Sequence, residues 1–276
     1  MFETEMDANQ NLFFNQDKVQ LNHSKVVFKG KNNCLILDEG AILDHSELIF
    51  YGDNALVYIK KTYNKHIHTK LSVHTGCTVF IDEGASFNGR LNIMVSEHQS
   101  LIVGKDVMFS FESWIRTSDV HAIYNVENGN RINSGKSVFI GEHVWLAQDV
   151  KVLKGAIIGS GSVVGAGAVV TSAVPNNSIV AGNPSKVIKH NIFWERPSMH
   201  NKHPETLPSK QNPVNPFFYK GASNQKEWQE NGKNLSNTEN PLDKKNLIDQ
   251  VYSGLKLLCD LPSPAKKWWQ WCNTKA

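Results

Sequence analysis

From Arg116 to Asn133 the chain reads RTSDVHAIYNVENGNRIN, one histidine among two acids and two arginines. These are residue types that move protons and hold charged ligands. A histidine accepts a proton near neutral pH, so His121 could activate a hydroxyl brought against it. Asp119, or a carbonyl of the same stretch, could hold the second ring nitrogen and fix the tautomer. Tyr124, Asn128 and Arg131 could shape an acceptor site or simply hold the segment, Arg131 by pairing with Glu127. A lone histidine in such a place would more often be a solvated polar residue. What surrounds it decides the matter.

The surroundings are periodic. From Ile140 the chain reads in sixes, IGEHVW, LAQDVK, VLKGAI, IGSGSV, VGAGAV, VTSAVP, with Ile140, Leu146, Val152, Ile158, Val164 and Val170 on one phase. A small residue or a valine fills the fifth place of each block. The period fits neither a helix nor simple strand alternation. It fits a coil of three short faces joined by tight corners, with the aliphatic residue pointing inward and stacked coils burying a continuous column. Upstream the period is more ragged: Leu37, Leu43, Ile49; Ile81, Phe87, Ile93; Ile102, Met108, Trp114. VGKDV (103–107) and IGEHV (140–144) are expected to be equivalent corners. The extra residues between them predict a loop over 118–136, thrown out of the coil and carrying His121.

The expected fold is an all-β solenoid over 26–190. A cap over 1–25 precedes it, a linker over 191–241 follows, and a helical extension covers 242–276. In that extension Ile248, Val251, Leu255 and Leu258 follow helical spacing until Pro262 and Pro264.

Composition excludes several classes. A net charge of +3 is too small for a nucleic-acid binder. The start, MFETEMDANQ, has neither the basic nor the apolar region of a secretory signal, and no apolar run reaches the ~20 residues of a membrane span. The four cysteines form no CxxC pair, which argues for reduced thiols in the cytoplasm and against a structural metal.

SDVHAIYNVENGNRIN, the spacing to HVWL and then AGNPSKVIK resemble the bacterial hexapeptide acyltransferases, and among them the O-acetyltransferases that modify sialic acid capsules. The resemblance covers 102–195. It implies a left-handed parallel β-helix, acetyl-CoA as donor and a sugar hydroxyl as acceptor. It implies His121 as catalytic base and Trp145 as a second active-site residue; chemically Trp145 could wall the acetyl and pantetheine, and its indole N–H could contribute a hydrogen bond. By the same resemblance Ala147, Ala166, Thr171 and Ser172 line the pantetheine and Lys186 and Lys189 reach the nucleotide end. Asp119, Tyr124 and Arg131 would then meet the acceptor. Ala147 departs from the glycine usual in the family. A homotrimer, with cofactor grooves between subunits, is also implied.

Between Ala55 and Ile81 there is no acid but Lys60, Lys61, Lys65, Lys70, His66, His68 and His74, a strip suited to a polyanionic polysaccharide. The tail AKKWWQWC could touch the inner face of a membrane or pack on the solenoid. Rival functions are acetylation of another surface glycan or small sugar, an N-acetyltransferase acting on an amino sugar nucleotide, and an inactive scaffold. The γ-type carbonic anhydrases share the scaffold, but their HxxxxH pair is missing here.

Overall fold

The computed structural model describes residues 4–200, 217–219 and 225–254. It is a left-handed parallel β-helix whose successive coils contribute one short strand to each of three faces. The first face is a nine-stranded sheet, the second consists of three- and six-stranded sheets, and the third is seven-stranded. Among the described strands every pairing but those of the two terminal hairpins is parallel.

The coils come in two sizes. Cys34 pairs with Leu56, Leu56 with Thr78 and Thr78 with Ser100, a step of 22 residues. After the interruption Phe139 pairs with Ile157, Trp145 with Val163 and Lys151 with Val169, a step of 18. Only the narrow coils keep the six-residue rhythm on all three faces. Ile140, Leu146, Val152, Ile158, Val164 and Val170 are all buried in one core column.

The wide coils slip that phase, and two expected runs are corrected. Leu37 and Leu43 point inward, but Leu48 and Phe50 fill the core in place of Ile49. Likewise Val103, Phe109 and Ile115 point inward, whereas Ile102 faces outward onto helices and Trp114 is 42% exposed. The cause is strand length. Wide coils carry strands of up to four or five residues on the first and third faces but only two or three on the second, so the number spent in each corner varies. First-face strands are apolar at consecutive positions because both their sides are covered, which hides the phase.

Corners use left-handed backbone. Gln10, Asn32, Asn54, Gly76 and His98 form one column at φ 62, 51, 59, 68 and 57. Glycine, asparagine and histidine enter that region at low cost.

The solenoid starts earlier than Val26. Strand Leu12–Phe14 already pairs in parallel with Cys34–Leu37, and Gln20–Asn22 with Ile42–Asp44. Among the described residues at this end, Thr4–Met6, antiparallel to Leu12–Phe14, acts as the cap. At the other end Lys186–Lys189 folds back antiparallel on Ile179–Ala181.

Beyond it the expected linker holds a helix, α1 (Gln225–Asn237), followed by α2 (Pro241–Gly254). The α1 sequence QKEWQENGKNLSN offers too few apolar residues to reveal a helix: Trp228 and Leu235 flank Gly232. These side chains, with Leu247, Ile248 and Val251 of α2, cover the outer side of the first face. Trp228 lies 5.8 Å from the Phe139 ring. Lys244 of α2 is fully buried and donates to the carbonyls of Asn54 at 3.0 Å and Gly76 at 2.5 Å. Leu255, Leu258, both following prolines and the tryptophan tail lie outside the described residues. No helix among the described residues is long and apolar enough to cross a membrane.

Candidate active site

The chain leaves the coil after Arg116 and returns at Val138, at the corner between the third and first faces. The neck closes where Lys136 N–H donates to the Thr117 carbonyl at 2.9 Å. The loop is a hairpin, with Ile132 N–H on the Ile123 carbonyl and Asn125 N–H on the Asn130 carbonyl, both 2.9 Å. The Asn125 side chain accepts the Glu127 N–H at 2.7 Å and turns the tip.

Asn133 organises the base of this loop. Its amide nitrogen donates to the His121 carbonyl at 2.8 Å and to Asp119 Oδ2 at 3.0 Å. Its amide oxygen accepts from Ile123 N–H at 2.8 Å and Arg131 Nε at 3.2 Å. Lys154, in the coil beneath, donates its ammonium to Asp119 Oδ2 and to the Asn133 carbonyl. The Lys154 hydrogen bond holds the Asp119 carboxyl below the usual carboxylate range, with Asn133 assisting. Sequence reasoning missed Lys154 and the hub role of Asn133.

His121 therefore has its main chain fixed and its side chain exposed. Its imidazole makes no hydrogen bond to any described residue. Neither Asp119 nor a loop carbonyl holds the ring here: Asp119 Oδ2 accepts from Lys154 and Asn133 instead. Arg131 pairs with Glu97 at 2.9 Å, not with Glu127, because the neighbouring coil lies closer than the hairpin tip. Tyr124 is 60% exposed beside it. Val120, just before His121, has φ 73. It continues the left-handed corner column one wide coil after His98, with a β-branched residue that resists that backbone. Strain of this kind, of order 1–3 kcal/mol, gathers at functional sites.

Thr171 and Ser172 are exposed two coils below the loop's origin, at the same corner. Trp145 and Ala147 lie elsewhere, on the second face, and Ala166 is in the corner after it. The Trp145 indole N–H donates to Ser110 Oγ at 3.2 Å. Ala147, Gly165 and Ala181 stack in consecutive coils as a shallow floor. A methyl at Gly165 would come within 3.2 Å of the Ala181 methyl, so the floor is already close-packed. Lys186 and Lys189 are exposed at its C-terminal end. The candidate residues thus fall into two groups on different faces: His121 with Thr171 and Ser172, and Trp145 with the small-residue floor and the lysines.

His143 of the HVW motif is not a second base. It is 1% exposed, with Nδ1 2.6 Å from Asp106 and Nε2 2.9 Å from the Trp194 carbonyl. Trp194 and Phe217 stack on either ring face at 4.1 and 3.6 Å, pinning the chain that leaves the solenoid. The basic strip is also less bare than its sequence. Lys60 meets Asp82 at 3.0 Å and His66 lies 4.0 Å from Asp44, each acid coming from an adjacent coil. Among the described residues no group of three or more metal-ligating side chains is placed to hold an ion.

A family model described as "Bacterial transferase hexapeptide (six repeats)" matches residues 137–172. The polysialic acid O-acetyltransferase of Neisseria meningitidis is 33% identical over 115 residues, covering 42% of this chain and 53% of that protein. The enzyme of the same name from Escherichia coli O1:K1 / APEC is 34% identical over 139 residues, covering 50% of this chain and 45% of that protein. The chain thus spans about half the length of these curated relatives. Two solved structures are similar over more of their length. The polysialic acid O-acetyltransferase OatWY superposes with a TM-score of 0.56 at 29% identity, covering 67% of this chain and 93% of that one. The polySia-specific acetyltransferase NeuO superposes with a TM-score of 0.56 at 32% identity, covering 68% and 93%. Coil, extruded loop and similarity together place the chain in the hexapeptide-repeat acyltransferase family.

Proposed function

We propose that the chain transfers the acetyl group of acetyl-CoA to a hydroxyl of an acidic surface polysaccharide, with sialic-acid polymers as the first candidates. The observation that carries this is the exposed, unpaired imidazole of His121, presented on a loop tied to a rigid coil. The relatives named as polysialic acid O-acetyltransferases support the acceptor class.

His121 takes the proton from the acceptor hydroxyl as its oxygen attacks the thioester carbonyl. The tetrahedral intermediate collapses by breaking the carbon–sulfur bond. Acetyl ester forms, and His121 returns the proton to the leaving thiolate. Main-chain N–H groups are the natural donors to the oxyanion. The shallow floor of Ala147, Gly165 and Ala181 suits the flat pantetheine amides, with Ala166 at its rim and Trp145 as its wall. Lys186 and Lys189 supply positive charge for the phosphates. Thr171 and Ser172 flank the loop side of the groove.

The two groups, read as half-sites, support a homotrimer in which the His121 loop of one subunit meets the Trp145 face of the next. Loop residues Val126, Ile132 and Ile123, exposed at 99%, 64% and 52%, suit that contact.

The test is release of CoA thiol from acetyl-CoA with a panel of acidic and neutral glycans. Release that requires an acidic glycan and vanishes in His121→Ala is expected. Equal release from both proteins would refute His121 as base, and release with neutral glycans alone would refute the acceptor class.

A further inference from the structure

Arg116 ends the strand from which the loop departs. Ile115 fills the core, so Trp114 and Arg116 both point out from the third face. Arg116 is half-buried, and its Nε is shielded from solvent with no hydrogen-bond partner. No hydrogen bond or ion pair of this guanidinium occurs among the described residues. Arg196, by contrast, donates to Asp106, Ser86 and two carbonyls, and Arg131 to Glu97 and Asn133.

A guanidinium carries five donors, and a shielded donor left unpaired costs stability. The column around Arg116 cannot satisfy it. Met94 lies in the coil above and Leu153 in the coil below, both apolar. The nearby Asp119 carboxylate feels the Arg116 charge, but its Oδ2 accepts from Lys154 and Asn133, and it makes no hydrogen bond or ion pair with Arg116. Lys154, not Arg116, is the ion-pair partner of Asp119. The result is a half-buried cation at the root of the His121 loop, two residues along the strand from a tryptophan that is 42% exposed.

We infer that Arg116 is a specificity residue that binds a carboxylate of the acceptor sugar, with the Trp114 ring beside it as a stacking surface. This rests on the acetyl-transfer function proposed above and names the feature of the acceptor that is read. A phosphate of acetyl-CoA offers similar anion chemistry but fits the place less well. The phosphates lie beyond the pantetheine arm from the thioester, whereas Arg116 stands at the root of the loop that bears the base. The acceptor hydroxyl must approach there. Arginine rather than lysine suits the task because its fork meets both carboxylate oxygens and so orients the sugar.

The test uses the full chain, a sialic acid oligomer and the same oligomer with its carboxyl groups reduced to alcohols. Calorimetry measures binding without acetyl-CoA, and thiol release measures turnover. Arg116→Gln is expected to weaken binding of the acidic oligomer about tenfold or more, with Arg116→Lys between it and the native chain. The KM for acetyl-CoA and the affinity for the reduced oligomer should stay unchanged. Equal binding of the acidic oligomer by native chain and Arg116→Gln overturns the inference. A raised KM for acetyl-CoA alone would assign Arg116 to the phosphates. A changed oligomeric state on a sizing column would make it an interface residue, and a native chain that binds no acidic oligomer would also sink the idea. A chain that binds the oligomer through Arg116 yet releases no thiol would instead overturn the transferase function and leave the anion site standing.

Discussion

Lys154 ties Asp119 to the coil beneath the loop across 35 positions of sequence, and the same ammonium reaches the Asn133 carbonyl at 2.8 Å. Asn133 in turn holds the His121 carbonyl. The candidate base is thus positioned from the narrow coils, not from the wide coil its loop departs from. Lys154→Met is expected to lower turnover about tenfold or more by loosening that geometry, with the KM for acetyl-CoA unchanged. His121→Ala should cost about 10²–10⁴ in turnover, the usual range for a lost general base. The double variant should be no slower than His121→Ala alone, because both changes act through one group. Additive losses in thiol-release assays would break the proposed relay.

The same tether has a pH signature. The Asp119 carboxyl is depressed in the folded chain, chiefly by Lys154. Its contribution is therefore fully present above the ordinary carboxylate value of about 4 and is lost as pH falls through the depressed one. Protection factors of the loop amides should stay constant from neutral pH down to about pH 4 and fall only below it. Loosening already at pH 6 would show that another group controls the loop.

Lys244 gives the opposite slope. Burial pushes its ammonium down to about 8 in the folded chain. The cost of the buried charge is fully present below that value and is relieved as pH rises toward the unfolded value of about 10.4. The native chain should gain stability relative to Lys244→Met across that window, on the order of 3 kcal/mol in total. Burial also raises the Cys34 and Cys77 thiols, to about 12 and about 11, which lowers stability at alkaline pH; both proteins carry them, and the Lys244 charge, which eases the Cys77 shift, adds to the native chain's gain. Urea midpoints at pH 7.5 and pH 9.5 test the difference, and a flat difference would refute the account.

Two corner glycines should behave differently. A methyl at Gly159 would stand 2.4 Å from the Asn176 nitrogen, whereas Gly167, at φ +69, has nothing within 4 Å. Gly159→Ala must move backbone and should cost about 3 kcal/mol or more. Gly167→Ala faces only the left-handed penalty of about 1–2 kcal/mol, which asparagine largely avoids. The expected order of thermal midpoints is Gly167→Asn, then Gly167→Ala, then Gly159→Ala.

Because the half-sites lie on different faces, two inactive variants should complement each other. In the proposed trimer, His121→Ala and Trp145→Ala, unfolded and refolded together, would restore activity at about a quarter of randomly mixed interfaces. No recovery in trimers shown to contain both chains would mean that each subunit completes its own site.

The narrow coils were legible in the sequence because Ile140 through Val170 keep one strict phase, and the loop because the corners at Val103 and Ile140 stand 37 residues apart where a coil needs far fewer. The wide coils were read one residue out at Ile102 and Trp114, since a strand apolar on both sides carries no phase. Partners were the least legible. Glu97 for Arg131 and Lys154 for Asp119 lie 34 and 35 positions away, set by which coil stacks on which. A composition-based basic strip likewise ignores acids delivered by adjacent coils. The α1 helix hid because Gly232 interrupts its few apolar residues, though it is that glycine which admits the Phe139 ring, 2.8 Å from where a methyl would stand.

A solenoid held only by contacts between adjacent coils tends to unravel piecemeal, and a change of coil size at an extruded loop is a natural fault line. The helix pair crosses that line. Its apolar side chains join one cluster with Cys34 and Leu56 on the wide side and with Phe139 and Ile157 on the narrow side. It works as a splint, binding two solenoids of different gauge into a single cooperative unit. Cut away from residue 225 onward, the chain should melt in two steps instead of one, with the His121 loop at the seam.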